Sequence, residues 1–521
     1  MRLMHSRRTA AFAAGAAAMA LTLGACSSDA GGDESPSGDP TSTGGTTQEA
    51  SKELLVLGST ADMYGWDPAN QPGYQNWAGE AVWDNLAKTN SVGGLEPDIA
   101  ESWEINEDNT TFTAHIREGM TFSDGTPVDA AAVEASFIYV RDQSGSGADY
   151  TDITFDSPDD LTISITWPEP QPVLANKIAA VKIMPASYLD AANWEQPVGS
   201  GPYEFDAATS TTGSVYKFTK NEDHWNADEY PYENLEIRVI ESETAAVSAL
   251  KTGQIDGSLV GVGSIEEVKA SGLETIQYES NTTRLIISDR TGKVIPALGD
   301  VRVRQAMNMV VDKQAMADQL YLGNAKPAYQ TFREGTPAYI EMSEDPYPYD
   351  VEAAKALMEE AGYADGFELE IPTMEGQFHE TLLPYVSQQL AEINITVTEV
   401  PLSGANAIGD LLSGTYPVVL WQLGNLGNSA LQIYIEDTPE GWWNLQHEPN
   451  EYVDSRWDQI ATASEEESAT LQKEINQYIT DEAWFAPMVY TGNTYAFNAD
   501  KVSIPTQSDQ ESLHPKLRDF K

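Results

Sequence analysis

Cysteine is almost missing from this chain: one residue, Cys26, in 521. That excludes an intramolecular disulfide, a CxxC redox pair and any multi-cysteine metal centre. Histidine is nearly as sparse. The six (5, 115, 224, 379, 447 and 514) include no pair at i,i+4 spacing, which disfavours a histidine-rich metal site. Basic residues are also few, 29 Lys and Arg against 81 Asp and Glu, for a formal net charge of −52. Such a surface repels phosphates and anionic headgroups, so nucleic-acid and peripheral-membrane binding are disfavoured. The acidity reads as a solubility or salt-tolerance device. After the N-terminal segment no stretch approaches eighteen uninterrupted apolar residues, so the body is not expected to span a bilayer.

What is present begins at the N-terminus. Residues 1–9 carry Arg2, Arg7 and Arg8 without an acid, Ala10–Ala25 is a small-residue apolar run, and Leu23-Gly24-Ala25-Cys26 follows. A basic segment, a short apolar one and small residues before a cut read as a secretory signal peptide over 1–25. Leu-Gly-Ala-Cys resembles the bacterial lipobox, which implies a diacylglyceryl group on Cys26 and an extracytoplasmic, lipid-anchored protein (periplasmic if an outer membrane is present). Residues 27–50 are Ser, Gly, Thr, Pro and acids without an aromatic, the composition of a disordered tether.

The body has a mixed pattern. Glu53–Leu57, Phe112–Ile116, Leu161–Trp167, Tyr216–Lys220, Leu235–Ile240, Leu285–Ser288 and Phe367–Ile371 read as strands. Asp129, Asp300 and Asp350 each stand where a helix N-cap is needed, before apolar stripes such as Val303, Ala306, Met307 and Val310. Gly362 fits the position just past a helix end. Met307 and Met358 read as core residues, not metal ligands. Interleaved strands and helices without a fixed-period repeat predict α/β or α+β lobes, and the length suggests roughly three structural units.

Enzyme signatures are missing: no GxSxG, HExxH, GxxxxGK[ST], or GxGxxG after a strand. Ser214-Val-Tyr-Lys217 and Lys251-Thr-Gly253 mimic the SxxK and KTG of penicillin-interacting enzymes. SxxK needs a helix start, whereas this one lies in a strand-like run that puts the two side chains on opposite faces. The pairs His379-Glu380 and His447-Glu448 are expected at the surface. No catalytic residue, metal site or cofactor is therefore assigned.

Six blocks in order carry a resemblance. Gly94-Leu-Glu-Pro97-Asp98-Ile-Ala-Glu-Ser-Trp103 is similar to "G-x-x-P-x-L-A-E-S-W", and Phe112 to Val128 resembles "F-x-L-R-x-G-x-x-F-x-D-G-x-P". Gly199 to Tyr203 resembles "G-T-G-P-Y", and Leu250 to Asp256 resembles "L-x-x-G-x-x-D". Asp300 to Asn308 resembles "D-x-R-V-R-Q-A-x-N", and Tyr349 to Tyr363 "Y-D-P-x-K-A-x-x-L-L-x-E-A-G-Y". These are motifs of the family 5 extracellular solute-binding proteins, the oligopeptide, dipeptide and nickel class of ABC-importer receptors. The resemblance implies a two-lobed periplasmic-binding-protein-like α/β fold (class II, cluster C type) with a hinge and an extra inserted domain. The first lobe would comprise 51–93, 197–284 and 490–521 with the inserted domain at 94–196, and the second lobe 285–489. It further implies a monomeric, non-enzymatic receptor that passes its ligand to permease subunits and, through them, an ATPase, without nucleic acid and touching the membrane only through its anchor.

Peptide is the default cargo of that class. Its peptide-binding members carry an Asp shortly after a Trp in the second lobe, to pair with the α-amine. The matching stretch here, Val418 to Gln432, contains no acid: Asn425-Leu-Gly-Asn428 stands in place of "D-x-x-D-P". Trp421, Gln422, Asn425 and Asn428 would offer neutral donors and acceptors beside an indole, a mix that also suits an oligosaccharide or another neutral solute. Equally, Trp421 can be core and the Asn pair a turn. Tyr64, Trp66 and Tyr74 are expected on the cleft from the first lobe, and Trp442 from the second. The rival of another class is a secreted hydrolase.

Overall fold

A computed structural model describes residues 52–63, 65–68, 77–90, 93–143, 147–191, 194–240, 242–374, 378–403, 406–424, 428–505 and 514–521. Cys26, the signal-peptide and tether segments, Tyr64, Tyr74 and Asn425 lie outside the described residues.

One large sheet organises the chain. Its strand order is Val418–Gly424, Glu274–Ile287, Phe485–Phe497, Gly257–Val260, Lys52–Ser59, Tyr232–Val239, Val215–Lys220 and Tyr203–Phe205, with Lys326–Pro327 beside Phe485–Phe497. Lys52–Ser59 runs parallel to both of its neighbours, and the other pairings are antiparallel. A central parallel strand is covered on both faces, which explains why Leu55, Val56 and Leu57 are all buried without alternation.

Separate cores pack around this sheet. One gathers Leu55, Leu57, Trp77, Trp83, Phe218, Leu235, Tyr278, Tyr495 and Phe520. A second joins Phe112, Val133, Phe137, Ile163, Ile165 and Ile183 around the four-stranded sheet Ala100–Ile105, Thr111–Ile116, Thr162–Thr166, Thr154–Asp159. A third holds Leu285, Val303, Met307, Met358, Leu369, Leu420 and Met488, with the parallel pair Phe367–Met374 and Ile395–Leu402 on it. The fold is α/β and two-lobed: the first two cores form the first lobe, the third and its satellites the second.

Local chemistry sets the helix starts. Asp129 Oδ1 accepts from Ala132 N at 2.9 Å, Asp300 caps Arg302 N at 2.9 Å, and Asp350 caps Ala353 N at 2.9 Å. Each satisfies one of the orphan donors of a first turn. Gly362 takes φ +85° just past the Val351–Glu360 helix, a left-handed conformation that glycine adopts without steric cost. Lys251 ends the Glu243–Lys251 helix, and Gly253 (φ +68°) follows in its closing turn. KTG is thus a helix exit, while Lys217 lies in a strand.

In each of the two adjacent His-Glu pairs one residue is exposed as expected, Glu380 and His447, and the other is not. His379 and Glu448 are buried, not at the surface. His379 opens the His379–Ala391 helix and its ring is sandwiched by aromatics, and Glu448 receives the Thr291 hydroxyl.

Candidate functional site

Two strands run through both lobes. Glu274–Ile287 and Phe485–Phe497 pair antiparallel from Glu274 opposite Phe497 to Ile286 opposite Phe485. One end of the pair gives Tyr278, Tyr495 and Phe497 to the first-lobe core; the other gives Leu285, Ile287, Ala486 and Met488 to the second. Between these ends the ladder is irregular, at Tyr278/Asn281 and again at Thr283/Arg284. A Cβ on Gly492 would fall 1.5 Å from the Tyr278 carbonyl, so the crossing tolerates no side chain there. This double strand is the hinge.

Beside the hinge, a cavity of about 350 Å³ takes walls from both lobes. Val260, Gly261 and Val262 come from the first, Gln277, Gly492, Asn493 and Thr494 from the hinge, and Leu320, Tyr321, Asn324, Phe378, Thr381, Leu382 and Gln422 from the second. Its size lies at the lower end of small-molecule sites, roughly 300–1,000 Å³. No charged side chain lines it among the described residues. Its polar groups are amides, hydroxyls and backbone.

Those groups are fixed by their own bonds. Gln422 Nε2 donates to the Tyr321 hydroxyl at 2.8 Å and to Thr283 Oγ1 at 3.1 Å, and the two hydroxyls stand 3.2 Å apart. Gln422 pairs with Thr283 in the strand register, so sheet geometry sets this triangle. Gln277 Nε2 donates to the Asn324 carbonyl at 2.5 Å. Burial pushes the Tyr321 hydroxyl pKa up, which keeps it a neutral donor and acceptor.

An aromatic ladder stands next to the cavity. Phe378 stacks on His379 at 4.4 Å, both rings meet Trp421 at 5.3 and 5.5 Å, and Trp421 meets Trp443 at 5.4 Å. Burial lowers the His379 pKa, so its imidazole is neutral near pH 7; Nε2 lies 3.1 Å from the Leu420 carbonyl.

Behind the site, Arg284 of the hinge is fully buried and donates to Glu436 at 2.8 Å. Glu436 belongs to the Ser429–Asp437 helix, whose N-cap is Asn428. Asn428 Oδ1 accepts from Leu431 N at 3.1 Å while its Nδ2 donates across the cleft to Asn176 Oδ1 at 2.5 Å. Gly93 of the first lobe sits so close that a Cβ there would come within 2.5 Å of Asn428 Cβ. Asn109 Nδ2 reaches the Ala461 carbonyl at 3.3 Å. The two lobes therefore touch at these points.

Of the residues picked from the sequence, Gln422 lines the interlobe cavity and Trp421 lies against its Phe378 wall. Asn428 serves as cap and interlobe contact. Trp66 is not on that cavity: it is buried against Trp83, Phe205, Tyr216 and Phe218 and edges a separate first-lobe cavity. Trp442 is 45% exposed and meets Tyr434, while its neighbour Trp443 turns inward. Tyr321, Phe378, Gln277, Asn493 and Thr494 were not singled out in the sequence; they come from segments with no shared motif. Among the described residues no three His, Cys, Asp or Glu side chains are grouped to hold a metal ion, and no helix is long and apolar enough to cross a membrane.

Comparison with known proteins agrees with this architecture. The model of the bacterial extracellular solute-binding proteins, family 5 (Middle) matches residues 94–437, and the chain belongs to that family. It is similar to heme-binding protein A of Haemophilus influenzae, 27% identical over 387 residues that cover 68% of this chain and 69% of the relative. It is 28% identical to the glutathione-binding protein GsiB of Escherichia coli over 312 residues, 57% of this chain and 59% of the relative's own length. In fold it resembles the periplasmic binding protein DppA of Helicobacter pylori, solved with the peptide STSA. The TM-score is 0.73 at 22% identity, covering 91% of this chain and 98% of that one.

Proposed function

We propose that this protein is an extracytoplasmic receptor that captures a peptide between its two lobes and delivers it to an ABC import permease. The uncharged cavity walled by both lobes and the hinge carries this reading. A peptide's amide groups can be met by Gln422, Tyr321, Asn493, Thr494 and the glycine-rich backbone at 261 and 492, with Phe378, Leu320 and Leu382 receiving apolar side chains. The relatives named for glutathione and solved with a tetrapeptide support peptide over other cargo. In this reading the peptide's main chain, met by these neutral groups, is the anchor at this cavity. Ligand contacts to both lobes favour the closed arrangement, the state a permease can recognise.

The uncharged lining and the adjacent Trp421 also favour a second reading, a neutral oligosaccharide in the same cavity. Neither reading uses covalent chemistry. The proposal extends to Cys26 as lipid attachment site, 27–50 as tether, and the division into 51–93, 197–284 and 490–521, with 94–196 inserted and 285–489 as second lobe.

A thermal-shift panel with separate oligopeptide and oligosaccharide pools tests it, each hit then being checked by mass spectrometry. A ligand at a hundredfold excess over its Kd adds roughly 2.7 kcal/mol of stability. Intact stabilising peptides support the proposal and intact stabilising sugars the second reading. Cleavage of the hit would point to a hydrolase and end both.

A further inference from the structure

We infer that the first lobe holds a second binding site, for a small oxyanion such as phosphate, sulfate or a carboxylate, in the cavity in front of Lys182. The chain carries a net charge of −52, yet this cavity of about 170 Å³ is lined by four cations, Lys88, Lys182, Lys516 and Arg518, and one carboxylate, Glu80. It is distinct from the interlobe cavity, with which it shares no lining residue.

Lys182 carries the argument. Its Nζ donates to Asn85 Oδ1 at 2.8 Å, and no carboxylate lies within ion-pair distance of it among the described residues. Asn85 cannot swing away, because its Nδ2 donates to the carbonyls of Ala179 at 2.7 Å and Val181 at 3.1 Å. An ammonium has three donors, so two of those on Lys182 remain for a ligand. Burial, with the neighbouring Lys88, depresses its pKa and outweighs the opposing pull of Glu80, Asp98 and Asp84. Elsewhere around the cavity the cations are held by carboxylates. Lys88 Nζ binds Asp98 at 2.8 Å and Asp84 at 3.4 Å, which leaves its third donor, and Arg518 Nη1 lies 2.7 Å from Glu96. Those carboxylates bond Lys88 and Arg518 directly, whereas Lys182 feels Glu80, Asp98 and Asp84 only at longer range. An oxyanion would bring a charge into direct contact with Lys182 and accept its spare donors.

The volume corresponds to about five or six waters at ~30 Å³ each, which fits a tetrahedral oxyanion with hydration and is too small for a peptide. The location gives such an ion a mechanical role. Lys88 and Lys182 flank residues of the core built on Phe112 and Ile163, while Lys516 and Arg518 belong to the C-terminal segment that places Leu517 and Phe520 in the other first-lobe core. One bound anion would tie the two cores together.

The test is a set of thermal melts of the purified chain in phosphate, sulfate, acetate and chloride at matched ionic strength, with Lys182→Met and Glu80→Gln beside the wild type. Kosmotropic anions stabilise folded proteins non-specifically, so the variants decide. The expected result is a saturable stabilisation by phosphate over chloride, weakened at least tenfold in apparent affinity by Lys182→Met and tightened severalfold by Glu80→Gln. An equal, non-saturating rise in all three proteins, or none, overturns the proposal. Should Lys182→Met fail to fold, the absence of tightening in Glu80→Gln overturns it alone.

Discussion

Asn428 holds Asn176 across the cleft at 2.5 Å while the same side chain caps the helix behind the site. One residue thus serves the stability of the second lobe and its contact with the first, and the two roles separate by mutation. Asn428→Ala should cost the ligand-free protein about 1 kcal/mol through the lost cap. Asn176→Ala removes only the interlobe bond, so it should leave the ligand-free melting temperature within a degree or so while weakening ligand affinity about as much as Asn428→Ala does. Equal losses of ligand-free stability in the two variants would contradict this division.

Gly93 gives a sharper probe of closure. Its φ of +78° and its closeness to Asn428 both exclude a side chain. Gly93→Ala should hold the lobes apart, read as a larger radius of gyration by small-angle scattering in saturating ligand and a weaker affinity. An unchanged radius would show that the contact does not limit closure.

Arg284 is the costly residue to remove. Glu436 and Asp437 are both buried, and the Arg284 guanidinium lies at 2.8 Å from the first. Arg284→Met would leave buried acid without its partner, a loss of about 3–5 kcal/mol. Urea unfolding midpoints measure it, and a change below about 1 kcal/mol would mean that the pair contributes little.

Acidification should strengthen what three buried carboxyls contribute to stability over a defined window. Burial raises the Glu436 carboxyl to about 6 despite Arg284, raises Asp98 to about 6 with Asp84 beside it, and lifts Asp437 well above the ordinary range. The folded state therefore binds protons near pH 6 that the unfolded chain, with carboxylates near 4, does not take up until lower pH. The contribution of these three carboxyls rises as pH falls from about 7 to about 4.5, while the buried His379 and His514, whose pKa values burial lowers, act in the opposite sense. Asp84 has the opposite sign: burial would raise it, but Lys88 and His224 outweigh that and hold it near 2, so its contribution is lost only below about pH 4. From pH 7.5 through 6.5 to 5.5 the unfolding midpoint of the wild type should rise relative to that of Glu436→Gln. A fall relative to that variant would refute the assignment.

Much of the frame was legible because local chemistry specifies it. Asp129, Asp300 and Asp350 cap the helices expected of them, and Phe112–Ile116 alternates as a half-buried strand does. The hinge was legible only at one end, as Leu285–Ser288. Upstream of it, Ser280, Thr282, Thr283 and Arg284 are buried polar residues in the middle of a sheet, and Thr282, Thr283 and Arg284 find tertiary partners that no periodicity reveals. The same holds for the site. Gln422 stood beside a recognisable Trp, but Tyr321, Phe378 and Asn493 meet it only through folding, from segments some fifty to a hundred residues apart. Trp66 shows the converse: an aromatic in a cleft-like motif turned inward because four aromatic rings there offer it a core.

The central claim is that solute is captured at the interlobe cavity through its neutral groups. Calorimetric titration of a stabilising peptide into wild type and into the Gln422→Ala/Tyr321→Phe double variant tests it most directly. Each lost hydrogen bond is worth about 0.5–1.5 kcal/mol. The account predicts one-to-one binding of the intact peptide, at least tenfold weaker in the double variant, which also loses the bonds among Gln422, Tyr321 and Thr283 and so melts lower without ligand. Equal affinity in the two proteins would place the ligand elsewhere and contradict it.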